Sequence, residues 1–114
     1  AALHEAQGRS LVPLMRSENA AWRQALLVEE DQPFGIGSLA GPVRIRTVVG
    51  SDFRMTRIAD SPFLELYDHA RDPGEVRNVA NSPEASALLA RATAIMVDEL
   101  MRVADDSTVP FYAA

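Results

Sequence analysis

Three neighbouring carboxylates, Asp68, Asp72 and Glu75, stand in the stretch ELYDHARDPGEVRNVAN at residues 65–81. Carboxylate oxygens are hard ligands, so a divalent cation is the chemistry such a group would serve. The same spacing has a plainer account. Asp72, Pro73, Gly74 and Glu75 follow the pattern of a helix N-cap with an acid three residues on and proline at the first helical position. That predicts a single helical turn ended by Asn78, its acids engaged in capping or left in solvent.

Other reactive residue types are sparse. His4 and His69 are far apart, with no second ligand or base beside either, which predicts two surface histidines rather than an acid–base pair. Gly35, Gly37 and Gly41 lack the strand-to-helix context of a phosphate loop and read as a connector. Arg44, Arg46, Arg54 and Arg57 could gather anions on the wet face of a sheet, with pairing to nearby acids as the alternative. Cysteine is absent, which removes disulfides, a thiolate nucleophile and thiolate metal ligands.

The elements that must position these residues follow from pattern. ALLVEE (25–30), VRIRTVV (43–49), FRMTRIA (53–59) and FLELY (63–67) read as strands. In the second, Val43, Ile45, Thr47 and Val49 share one face while Arg44 and Arg46 take the other. In the third, Phe53 and Met55 oppose Arg54 and Thr56. One face is expected to be dry and the other wet. Gly50-Ser51 suits a tight hairpin whose first turn residue has positive φ. Residues 31–42, with three glycines and two prolines, predict a mobile loop.

At residues 83–104 the period becomes helical, and Ala85, Leu88, Leu89, Ala92, Ile95, Met96, Leu100 and Val103 form one stripe that must pack on the sheet. Ser82 suits the N-cap and Pro83 the first turn. Before the strands, Ser10 can cap a short turn holding Leu11, Leu14 and Met15. The division is one domain over 1–114: lead-in and short helix (1–24), antiparallel strands (25–67), junction (68–82), helix (83–104) and tail (105–114).

A net charge of −5 and a pI near 4.9 oppose nucleic-acid binding, and the eleven basic residues, all arginine, form no run. No apolar run approaches the roughly 20 residues of a membrane span. The N-terminus lacks the basic start and apolar stretch of a signal peptide. No nucleic-acid or membrane partner is therefore expected.

Several phrases stand in a set order: Gly8-Arg9-Ser10-Leu11-Val12-Pro13-Leu14-Met15, Trp22-Arg23, Leu27-Val28-Glu29-Glu30, Arg46-Thr47, Arg54-Met55-Thr56-Arg57, and Glu65-Leu66-Tyr67-Asp68 through Asp72, Pro73, Glu75 and Asn78. Together they resemble the C-terminal subdomain of sulfatases, in the alkaline phosphatase-like superfamily. His69 and Val79 stand where that pattern usually has leucine, Met15 also departs from it, and the tail after Ala104 matches nothing in it. The resemblance implies an α+β fold, a four-stranded antiparallel sheet with a long C-terminal helix on one face, joined to an N-terminal catalytic domain as its partner. Glu65, Leu66, Tyr67, Asp68, Asp72, Pro73, Glu75 and Asn78 would then be a structural signature. Phe34, Gly35 and Gly37 would sit on a loop at the rim of the parent's substrate site.

The parent would use a formylglycine, made from Cys or Ser in C/S-x-P-x-R, and a divalent cation, Ca or Mg. Ser10, Ser61 and Ser82 stand near prolines at the wrong spacing, lysine is absent, and Asp105-Asp106 closes a helix instead of following a buried strand. No catalytic or metal residue is thus expected in the chain, which would be inactive alone. Two other readings stay open. One is a stand-alone interaction module using the sheet edge or the Val109-Pro110-Phe111-Tyr112 tail. The other is the same subdomain of a phosphodiesterase or phosphonate monoester hydrolase. Self-association through the tail or an exposed sheet face is a further expectation.

Overall fold

Four strands pair in chain order into one antiparallel sheet: β1 (Ala25–Gln32), β2 (Val43–Gly50), β3 (Phe53–Ile58) and β4 (Leu64–Asp68). A short helix, α1 (Val12–Arg16), precedes them, and a 3-10 turn at Pro83–Ala85 runs into the long helix α2 (Ser86–Asp105). The computed structural model describes residues 8–17 and 19–105. His4, most of the lead-in and the tail from residue 106 onward lie outside the described residues.

Register assigns the faces. Leu27, Val48, Met55 and Leu66 are cross-strand partners in one row and so share a face. Val48, Met55 and Leu66 are fully buried, and with Phe53 they form the floor on which Ala85, Ala92 and Met96 pack. Leu88, Leu89, Ile95 and Leu100 flank that contact, so the predicted helical stripe is the buried one. Each large apolar side chain sealed there contributes roughly 1.5–3 kcal/mol.

The expected partition of dry and wet faces is corrected by the same register. Val49 pairs with Arg54 and Thr47 with Thr56, so the Val43, Ile45, Thr47, Val49 set lies opposite Phe53 and Met55, away from α2. Arg44, Arg46 and Arg57 stand on the α2 side, toward the end of the sheet remote from the β2–β3 turn. Alternation within one strand separates two faces but cannot say which of them receives the helix. The cross-strand partners decide that.

Gly50 is needed for another reason than the predicted one. Positive φ occurs at Gly37 (58°) and Gly41 (75°) but not at Gly50, which ends β2. A Cβ on Gly50 would lie 2.8 Å from Cδ1 and 2.9 Å from Cζ of Phe53, whose ring is 1% exposed. At the helix start, Ser82 occupies the N-cap with no side-chain cap bond, and its carbonyl accepts from the Ala85 N–H at 3.0 Å. The predicted long helix therefore begins with a 3-10 turn. Ser10 accepts from the Val12 N–H at 3.2 Å, one position before the cap residue Leu11 of α1.

Gly50→Ala should lower stability by about 1–3 kcal/mol through overpacking against Phe53. A chemical-denaturation midpoint equal to that of the parent chain would reject this account of the glycine.

Candidate functional site

β4 is the last strand of the sheet, so its outer backbone groups would face solvent or a stray strand. Residues 68–82 cover that edge. Asn78 Oδ1 accepts from the Leu66 and Ala80 N–H groups, each at 3.0 Å, and its Nδ2 donates to the Leu64 carbonyl at 3.0 Å. The Val79 N–H donates to the Leu66 carbonyl at 2.8 Å. The Asp68 carbonyl accepts from the N–H groups of Arg71 (3.2 Å) and Asp72 (2.7 Å). The Asn78 side chain and the Val79 backbone N–H together stand in for a fifth strand beside Leu66.

The predicted helical turn at Asp72 is replaced by a reverse turn, closed by the Glu75 N–H donating to the Asp72 carbonyl at 3.1 Å. The Asp72 carboxylate reaches past it to accept from Val76 (3.0 Å) and Arg77 (2.9 Å), and these backbone bonds hold its pKa below the ordinary value. Glu75 is left-handed at φ 54°, which stops a helix from propagating and costs a non-glycine residue roughly 1–2 kcal/mol.

That conformation delivers the Glu75 side chain to the sheet face opposite α2. Arg54 Nε donates to Oε1 at 2.8 Å and Nη2 to Oε2 at 2.5 Å, a bidentate pair. His69 Nε2 lies 2.7 Å from Oε1. An ionised carboxylate can only accept, so the proton on this side of the imidazole belongs to Nε2. The Arg54 guanidinium lies over the Tyr67 ring, 5.1 Å from its centroid. Arg54 first and His69 second lower the Glu75 pKa to about 2. The expectation of a surface histidine is therefore corrected at residue 69, which is half-buried against a carboxylate. Five intervening residues in sequence separate the pair, and only the left-handed turn closes the distance.

The signature residues gather around this edge and face. Leu66 is in the core, Tyr67 lies under Arg54, and Glu65 pairs with Thr56 on the face away from α2. Asp68 accepts from the Ala70 N–H at 3.1 Å. Asp72, Pro73, Glu75 and Asn78 form the reversal itself. Asp68, Asp72 and Glu75 each turn to donors of their own, and among the described residues no group of metal-ligating side chains converges. A divalent cation does not fit here. Phe34, Gly35 and Gly37 lie elsewhere, on the β1–β2 connector, where Ile36 and Leu39 make an isolated bridge and Phe34 is 80% exposed.

Two features escaped the sequence reading. The sheet face away from α2 carries Leu26, Val28, Ile45, Val49 and Ile58, with Leu26 and Val28 each 46% exposed. Arg91 grips Asp52 in the β2–β3 turn through both nitrogens, at 3.1 and 2.5 Å, fastening α2 to that turn. Of the arginines suspected of gathering anions, Arg46 is taken by Glu29 (3.0 Å) and Asp31 (2.7 Å), and Arg54 by Glu75.

A depressed folded-state pKa stabilises above the unfolded value, so the Glu75 contribution should be complete above pH 4.5 and vanish as pH falls toward about 2. Denaturation midpoints of the parent chain and Glu75→Gln should converge over that window; a constant gap would overturn the assignment. Asn78→Ala should cost about 1–3 kcal/mol by orphaning the Leu66 N–H. Hydrogen exchange at the Leu66 amide should quicken, and unchanged protection there would remove Asn78 from the edge.

No protein-family profile matches the chain. The Delta 4,5-hexuronate-2-O-sulfatase of Bacteroides thetaiotaomicron is 32% identical over 103 residues, which are 90% of this chain and 21% of that protein. The solved structure of a 2-O GAG sulfatase superposes with a TM-score of 0.71 at 28% identity, over 93% of this chain and 22% of that one. A phosphonate monoester hydrolase from Silicibacter pomeroyi gives 0.64 at 34% identity, over 84% and 21%. The chain spans about a fifth of the length of these relatives. In sequence and in fold the chain matches a C-terminal subdomain of sulfatases, a unit that the phosphonate monoester hydrolase shares.

Proposed function

We propose that the chain is the supporting subdomain of a longer sulfate ester hydrolase and contributes no nucleophile or metal ligand to the reaction. The similarity to the hexuronate-2-O-sulfatase carries this reading, because it runs through nine-tenths of the chain yet only a fifth of that protein. Formylglycine and the divalent cation would belong to the remaining part of the polypeptide. The sulfate ester of a saccharide is the substrate class this relative suggests. The face bearing Leu26, Val28, Ile45 and Val49 is the natural seat for the catalytic part, since α2 already covers the other side. The exposed connector with Phe34, Gly35 and Gly37 would extend toward the substrate rim.

A second reading keeps the architecture but changes the chemistry to phosphonate monoester hydrolysis. The similarity to the Silicibacter pomeroyi enzyme favours it, being slightly higher in identity over a shorter span.

The longer reading frame should turn over an aryl sulfate with divalent cation present, and faster than a phenyl phosphonate ester. The reverse preference would replace the first reading by the second, and no turnover of either would defeat both. The 114-residue chain alone should turn over neither. Val28→Lys should change the stability of this chain by no more than about 0.5 kcal/mol while lowering the thermal midpoint of the longer protein. An unchanged midpoint there would remove the sheet face as the seat.

A further inference from the structure

A hollow of about 540 Å³ opens on the α2 side of the sheet, at the end remote from the β2–β3 turn. Met96 and Leu100 of α2 give it an apolar wall. Its charged lining is Arg44, Arg46 and Arg57 from the sheet, with Asp60 from the β3–β4 turn. In a chain of net charge −5, three cations to one anion is a local inversion. The connector bearing Phe34 leaves from this same end, since Gln32 pairs with Val43.

Register brings these arginines together. One cross-strand row reads Glu29, Arg46, Arg57, Leu64, and Arg44 stands in the next row, opposite Asp31 and diagonal to Arg57. Like charges directly opposite each other destabilise a sheet, and Arg46 faces Arg57. Glu29 and Asp31 both turn to Arg46, at 3.0 and 2.7 Å. Arg57 is thus left between a cation and a leucine, with no acid beside it in its row. Among the described residues Arg44, Arg57 and Asp60 make no ion pair.

We infer that Arg57 and Arg44 receive an aspartate or glutamate from the part of the longer polypeptide outside these 114 residues. The acidic segment passes the connector end of the sheet and lays an apolar side chain against Met96 and Leu100. Charge complementarity selects it: a carboxylate between the two arginines takes the guanidinium fork and offsets the opposition of Arg57 to Arg46. The chain spans about a fifth of its relatives' length, so most of the polypeptide able to supply that segment lies outside it. The contact presupposes the longer protein of the proposed function, but not which ester that protein cleaves.

In the 114-residue chain Arg57→Gln removes the opposed pair and should raise the thermal midpoint by about 1–4 °C, a gain that fades with added salt. In the longer protein the same substitution should lower the midpoint, and Arg57→Lys, which keeps the charge, should restore most of it. A midpoint that fails to rise in the short chain, or to fall in the longer protein, would overturn the contact. Lysine is absent from the chain, so Arg57→Lys also introduces its one side-chain amine. A carbodiimide, which condenses an amine with a carboxylate in contact, should then link position 57 of the longer protein to an acid outside residues 1–114, read by peptide mass spectrometry. A link to Asp60 or any other acid of residues 1–105, a link to Asp106 in the tail, or no link at all would each end the proposal. Turnover of an aryl sulfate by the same preparations separates the two readings. An active enzyme without the link sinks this contact alone, and the link in a protein without that activity sinks the sulfatase reading alone.

Discussion

The structure depends on one contact layer, the seating of Ala92 and Met96 of α2 on the row of Val48, Met55 and Leu66 with Phe53 beside it. Small residues at positions 85 and 92 let the helix lie close, and close packing is what gives so thin a core its cohesion. Gly50 follows from it, since the Phe53 ring needs the volume a side chain there would take. Helix α2 covers one face of the sheet, and among the described residues the other face leaves Leu26 and Val28 half-exposed.

Charged groups secure the ends of that layer. The Arg91 and Asp52 pair ties the helix to the β2–β3 turn, and the same turn accepts the His69 N–H through the Asp52 carbonyl at 2.9 Å. On the opposite face, Glu75 joins Arg54 of β3 to His69 beyond β4. Both arginines also lie over aromatic rings, Phe53 and Tyr67, so their orientation is restrained from two directions. The left-handed backbone at Glu75 is compensated by the charge-assisted bonds it permits.

Period was enough to read the strands, the helix and their order, because alternation at Val43 to Val49 and three- and four-residue steps from Ala85 to Val103 are local signals. What local pattern could not supply was anything resting on register. Which face of β2 meets α2 depends on Val48 standing opposite Met55, a relation between strands. The Asp72 to Glu75 segment has the composition of a helix start, but Asn78 and Val79 bond to β4, and that tertiary demand overrides the capping pattern. The pairing of His69 with Glu75 was hidden for the same reason. The cluster of Arg9, Trp22 and Arg23 joins two segments that only the fold brings together.

The covering of β4 by Asn78, Val79, Arg71 and Asp72 has a consequence for assembly. A sheet with two bare edges can add strands at both and grow into a fibre; among the described residues this one has a single bare edge, β1. Edge pairing between two copies would consume both available edges at once and stop at a closed pair. The acids Glu29, Glu30 and Asp31 on β1 oppose even that step by bringing like charges together. Asn78 is thus also a brake on fibrillar growth.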